Sequence, residues 1–285
     1  MSQQFDPELH RQMGVEADVV LRVGMLLMGA GTSGYRVLRG MKRSARALGF
    51  DHLDATVGLT QITCTFHRGE YFRTVIARQH SPAVDASRIE ALEDLTHNRL
   101  YAGITAQELA AKLDVIEFGV KKRWSGLVLS FAAAIACAAF AYLNCFPLEA
   151  VGLVALAAFA GQFVRYTVLH RHVHQIGGVI AGGATASIVF FLLTEFFGAI
   201  GSVAPSELSS GVVAAVLFLI PGFPLFSALI DIARFDLDAG IVRLGYAFTV
   251  IFTATFTVSM VSWLTQLTPD PPAPAQDMKL SLIHI

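Results

Sequence analysis

Near the C-terminal end of this 285-residue chain, Asp231, Arg234, Asp236, Asp238 and Arg243 follow directly on an apolar run. That run begins at Gly211 like a membrane helix, GVVAAVLFLI, and Pro221-Gly222 cuts it after little more than half a bilayer. Proline removes a backbone donor and clashes with the preceding turn, and glycine loosens the backbone beside it. Broken backbone and charge at membrane depth persist only where protein or a water-filled cavity covers them, and interrupted helices of this kind line transporter sites. The chemistry these residues suit is non-covalent. The planar fork of Arg243 matches both oxygens of a carboxylate, and Asp231 can receive an ammonium group or a coupling proton. The two residues are placed to pair across the Asp236–Gly240 turn. One reading makes them a charged pair lining a pathway for a small zwitterion or anion. The other makes them a structural ion pair at the cytoplasmic rim, with the span simply ending at Pro221.

Other residues invite weaker readings. Glu195 interrupts the apolar run Ile188–Ala199, either as a carboxylate reaching the interface or as a proton or cation site facing the bundle. Arg165, at the end of an apolar segment, is expected to snorkel rather than bind. His170, His172 and His174 put only the outer pair on one helical face, with no carboxylate near, so a basic connection is the better account than a metal site. Gly29-Ala-Gly31-Thr-Ser-Gly34 is formally GxGxxG, with Asp51 downstream, but the segment before it has helical period and no βαβ unit follows. Those glycines are expected to serve a turn or close packing. Cys64, Cys137 and Cys145 have no metal or redox spacing, and the last two read as small apolar packing residues. There is no GxxxxGK[ST], nucleophile elbow or HExxH, so neither an enzyme nor a cofactor or metal is expected.

The elements that must hold these residues divide by composition. The chain is 54% hydrophobic with a mean hydropathy of +0.57, and of its 21 Lys and Arg, 16 lie at or before Arg123. A polar domain over 1–120, a membrane domain over 121–267 and a disordered Pro- and Ala-rich tail over 268–285 are expected. Near-neutral charge gives no footprint for nucleic acid. No secretory leader is expected from the first thirty residues.

In the polar part, Val19, Val20, Val23, Leu26, Leu27 and Ala30 form a helical stripe. A basic helix over Tyr35–Leu48 closes on Gly49. Strand-like runs cover His52–Gly58, Gln61–Phe66 and Tyr71–Arg78, the last two joined by a hairpin signal at His67–Glu70. Helices over Asp85–His97 and from Thr105 to about Phe118 follow, the latter opened by a capping box with Glu108. The fold class is therefore a mainly α membrane protein, with a cytoplasmic α+β domain before a five-helix bundle. The spans are read as Trp124–Phe146, Glu149–Leu169, Ile176–Ala199, the broken Gly211–Ile230 and Gly240–Leu267, with small residues such as Gly182-Gly183 for close helix approach. Lys121-Lys122-Arg123 precedes the first span, and the loops after the first and third carry no Lys or Arg. The expected orientation is N-terminus cytoplasmic and C-terminus outside.

Together, GAGTSGYRVLRGMKRSARALG, the short sheet and IPGFPLFSALIDIARFDLDAGIVRLGYA resemble the threonine/serine exporter family, and within it the larger subunit of its split members. The resemblance covers Gly14 to about Leu267 and maps the family's membrane motif onto Pro221, Gly222, Asp231, Gly240 and Arg243. It implies a subunit of a secondary-type inner-membrane exporter of small metabolites, such as threonine and serine or dicarboxylates such as succinate. A small membrane subunit, or less simply a second copy of the chain, would complete it. The competing reading is a membrane-anchored regulatory or scaffolding protein acting through its cytoplasmic domain.

Overall fold

The computed structural model describes residues 7–79, 84–120, 124–171, 173–199 and 211–266. The Lys121–Arg123 triplet, His172, the connection over 200–210 and the tail from 267 lie outside the described residues. The chain forms two compact units, Met1–Arg123 with Gly222–Ala247, and Trp124–Pro221 with Phe248–Ile285. The cuts fall at the basic triplet, at the Pro221-Gly222 interruption and within the last helix.

In the first unit, α1 (Pro7–Gly29) and α2 (Gly34–Ala47) precede a three-stranded antiparallel sheet of β1 (His52–Val57), β2 (Gln61–Arg68) and β3 (Tyr71–Arg78). Strand alternation decides the faces. Leu53, Val57, Ile62, Cys64 and Phe66 point into a core shared with Val20, Val23, Leu27, Val37 and Met41 of the two helices. Phe72 and Ile76 of β3 stand on the opposite, exposed face. The hairpin closes through Gly69-Glu70, with Gly69 at φ 58, and Arg68 pairs with Tyr71, so β2 runs two residues past the expected Phe66.

Helix α3 (Ala86–Asn98) is capped by Asp85, whose side chain accepts from the Arg88 amide at 3.0 Å. In α4 (Ala106–Gly119) the Thr105 hydroxyl accepts from the Glu108 amide at 3.2 Å, one half of the expected box. The Glu108 carboxylate turns instead to the Tyr101 hydroxyl at 2.6 Å and to Lys112 at 3.2 Å. Arg68 ties β2 to the end of α2, donating to Leu48 O at 2.7 Å and pairing with the largely buried Glu16 at 2.6 Å.

The second unit contains α5 (Gly126–Leu143), α6 (Leu148–His170), α7 (Gln175–Ala199), and a short helix α8 (Gly211–Ala215) followed by a 3-10 turn at Leu217–Leu219. Two further helices are α9 (Gly222–Ala233) and α10 (Leu237–Thr265), and the cut between units falls within α10, after Ala247. Among the described residues, four helices, α5, α6, α7 and α10, are long and apolar enough to cross a membrane, and the count reaches five if the segments on either side of Pro221 make one interrupted span. The packing in this unit is by small residues. Cys137, Ala141, Ala150, Ala157 and Ala158 meet Phe190, Val212 and Ala215 in one cluster. At Gly161 a Cβ would sit 2.7 Å from both Ala186 Cβ and Gly182 O, so α6 and α7 touch nearly backbone to backbone. Cys137 is buried as expected. Cys145 corrects its reading as a packing residue, for it is exposed in the α5–α6 connection at φ 60.

Candidate functional site

The interruption has a local cause. Ile220 adopts φ −63, ψ 123, the extended region that a residue before proline prefers, and the 3-10 turn ends there. Helix α9 then restarts at Gly222, with Pro224 in its first turn, where a missing donor costs nothing. A Cβ at Gly222 would meet nothing within 4 Å, so the break rests on Pro221 rather than on a steric need for glycine.

Helix α9 ends in the last turn that carries Asp231. The Asp236 amide donates to Asp231 O at 3.0 Å, with Phe235 in the left-handed region at φ 61, and the chain reverses. Asp236 then caps α10, its Oδ1 accepting from the Ala239 amide at 3.4 Å. Gly240 lets the two helices close: a Cβ there would lie 2.5 Å from Ile232 Cγ1 and 3.0 Å from Ile232 N. This hairpin brings Arg243 Nε to 3.4 Å from Asp231 Oδ2. Asp231 is 0% exposed and Arg243 4%, which makes a fully desolvated pair. Arg234 and Asp238 are exposed, and the Arg234 guanidinium lies 3.8 Å above the Tyr35 ring.

A third element completes the site, and spacing along the sequence could not have found it. Gly31, at φ 88, ends α1, and Ser33 takes the N-cap position of α2 in an extended conformation, with no bond from its hydroxyl to the helix. The cap comes from afar. The Gly34 amide donates to Asp231 Oδ2 at 3.2 Å, setting a carboxylate on the positive end of α2. Arg243 Nη1 donates to the Thr32 carbonyl. At Gly34 a Cβ would stand 3.1 Å from Asp236 Oδ2 and 3.2 Å from Ala239 Cβ, so the turn fits against the hairpin without side-chain volume. The GAGTSG segment, preceded by a helix rather than a strand, thus receives a carboxylate of the same chain. The available signal was the glycine at the first position of a basic helix, a place that favours an anion.

The pair is not saturated. Asp231 Oδ1 and Arg243 Nε have no hydrogen-bond partner among the described residues, although buried polar atoms are normally bonded. Of the remaining sequence candidates, Glu195 stands exposed near the end of α7 in the second unit. Arg165 is half-buried. Its Nη1 lies 3.5 Å from the Phe218 carbonyl, just before the break, and 3.5 Å from Gln162 Oε1. A cavity of about 530 Å³ in the second unit, lined by Val216, Leu219, Ile220, Ala254, Val258 and Trp263 among others, contains no charged side chain and suits apolar matter. Among the described residues, no group of His, Cys, Asp and Glu has the arrangement of a metal centre.

Long apolar helices, an interrupted one among them, and a buried carboxylate–guanidinium pair at the interruption's far side are features of membrane transport proteins. The family described as "Putative threonine/serine exporter" matches residues 18–265. The chain belongs to this family and is a membrane transport protein. It is 22% identical over 256 residues to the "Probable succinate transporter subunit YjjP" of Escherichia coli strain K12, covering 86% of this chain and 92% of that one. It is 21% identical over 225 residues to the protein of the same name from Klebsiella aerogenes, covering 78% and 83%. No solved structure matches.

Proposed function

We propose that the chain is the larger subunit of a secondary-type exporter in the bacterial inner membrane, and that Asp231 and Arg243 line the path of a small metabolite bearing a carboxylate. The observation that carries this reading is the unsaturated, fully buried pair. A buried pair kept only for stability gains little over apolar packing, because desolvation offsets its attraction. A pair with spare donor and acceptor capacity beside a broken helix has a use when a charged ligand passes. Arginine holds a carboxylate, and the aspartate takes an ammonium group or a proton. Amino acids such as threonine and serine meet both; a dicarboxylate such as succinate, named for the relatives, meets the arginine and would leave the aspartate for a proton. Pro221, Gly222 and Gly240 shape the path's backbone, and Glu195 is a second, separate carboxylate for a coupling cation or proton. Both relatives are named as subunits, which supports a small membrane partner supplying the rest of the pathway.

The test is efflux from liposomes loaded with labelled threonine or succinate. The chain reconstituted with the proposed small membrane partner should release one of them, and the chain alone should not. Rapid release by the single chain would remove the partner from the account. Absence of release of both compounds by the reconstituted pair would count against transport of this class of metabolite.

A further inference from the structure

We propose that the Gly29–Gly34 turn occupies the Asp231–Arg243 site as an internal stand-in for the ligand, so that a transported molecule must displace it. The inference rests on the reading of that pair as a ligand site. The turn presents an acceptor, the Thr32 carbonyl, to Arg243, and a donor, the Gly34 amide, to Asp231. An α-amino acid presents an acceptor and a donor in the same order, its carboxylate to the guanidinium and its ammonium to the aspartate. The turn's groups are neutral, so each of its bonds has one ionised partner, whereas a carboxylate at Arg243 and an ammonium at Asp231 add the attraction of opposite charges in a desolvated site. The turn is therefore a weaker occupant that a zwitterion can replace.

Two further details fit replacement rather than permanent packing. Asp231 Oδ1 and Arg243 Nε lack hydrogen-bond partners among the described residues, so the turn supplies less than the pair can bond. A second carboxylate oxygen and the additional N–H groups of an ammonium could supply the difference. The Ser33 hydroxyl does not cap α2, and the first amide of that helix, that of Gly34, is held by Asp231. Ligand entry would thus free both the turn and the first residues of α2, passing a change at the pair to the domain that α2 belongs to.

Ser33 is 4% exposed, so a thiol placed there reports release of the turn. The full-length chain carrying Ser33→Cys, with exposed Cys145 replaced by serine, is probed by maleimide in membrane vesicles of cells that co-express the partner. Cys64 and Cys137 are buried and contribute little background. Saturating L-threonine should raise the labelling rate at position 33 about tenfold, as expected when a ligand shifts a closed segment to an open one. Succinate, which has no donor for Asp231, should not. Gly34→Ala supplies an independent measurement, since its methyl would crowd Asp236 and Ala239 and weaken the internal occupant. Apparent affinity for threonine in export should then improve about threefold, because an occupant that competes for the site lowers the competent fraction. Threonine export with no change in labelling, or with weaker or unchanged affinity in Gly34→Ala, overturns the stand-in while leaving the pair's role intact. Succinate releasing the turn as well as threonine does contradicts the donor–acceptor matching. Export that is indifferent to both Asp231→Asn and Arg243→Gln defeats the underlying reading and this inference with it.

Discussion

Asp231 and Arg243 were legible as residues because charge beside a broken apolar run is costly and therefore conspicuous. Their immediate partners were not. Thr32 and Gly34 meet the pair through backbone groups, and a backbone carbonyl or amide leaves no mark in side-chain chemistry. The cost of disturbing the pair separates two roles. If it serves stability alone, removing one partner strands the other, at about 3–5 kcal/mol. Inserted protein should then fall in both single mutants, and Asp231→Arg with Arg243→Asp should restore some of it. Quantitative blotting of the membrane fraction checks this, and the transport account expects near-normal amounts in Asp231→Asn and Arg243→Gln. The cysteines offer a second check at this scale. Burial pushes the Cys64 thiol up to about 12, so it stays protonated at neutral pH. Since the thiolate is the reactive form, Cys64 should resist maleimide throughout pH 7 to 9, whereas exposed Cys145 should react faster as pH rises. Mass spectrometry of the labelled native protein reads both.

At the scale of elements, the sequence signals that held were those with a local mechanism. Pro221 stops a helix by removing a donor, Thr105 and Asp85 cap helices with their own side chains, and Gly49 takes φ 83 at the end of α2. Element ends were less legible where pairing decided them, as in β2, which the hairpin extends through Arg68. Arg165 shows a different gap. Its placement beside the Phe218 carbonyl depends on a helix that follows some fifty residues later, and apolar patterning says nothing of such a partner. The small residues of the spans carry a prediction. Gly161→Ala would push a methyl into Gly182 O and Ala186, an overpacking worth about 1–3 kcal/mol. Gly152 lies in the same helix with nothing within 4 Å, so Gly152→Ala should be neutral or stabilise by about 0.5–1 kcal/mol through helix propensity. Melting temperatures in detergent should fall for the first and hold or rise for the second. Equal effects at both positions would contradict close packing of α6 on α7.

For the whole molecule, composition separated a charged N-terminal part from an apolar remainder, and hydropathy located the long helices. It could not show that Gly222–Ala247 folds with the N-terminal elements, because that segment is apolar enough to read as membrane and its partners lie about two hundred residues away. Orientation rests on loop charge and can be read with a native thiol. If the N-terminus is cytoplasmic, the α5–α6 connection faces outward, and a membrane-impermeant maleimide added to permeabilised-outer-membrane cells should label Cys145. Labelling only after the inner membrane is opened would invert the topology. A periplasm-dependent reporter should likewise be active when fused after Ser209 and silent after Gln175.

Whether the buried pair acts on the passing ligand is read from the export rate per unit of inserted protein. With the partner subunit present, this ratio should fall at least about tenfold in both Asp231→Asn and Arg243→Gln, equivalent to some 1.4 kcal/mol or more of lost stabilisation along the path. An unchanged ratio in both single mutants, whatever happens to protein abundance, would show that the pair only holds the fold together.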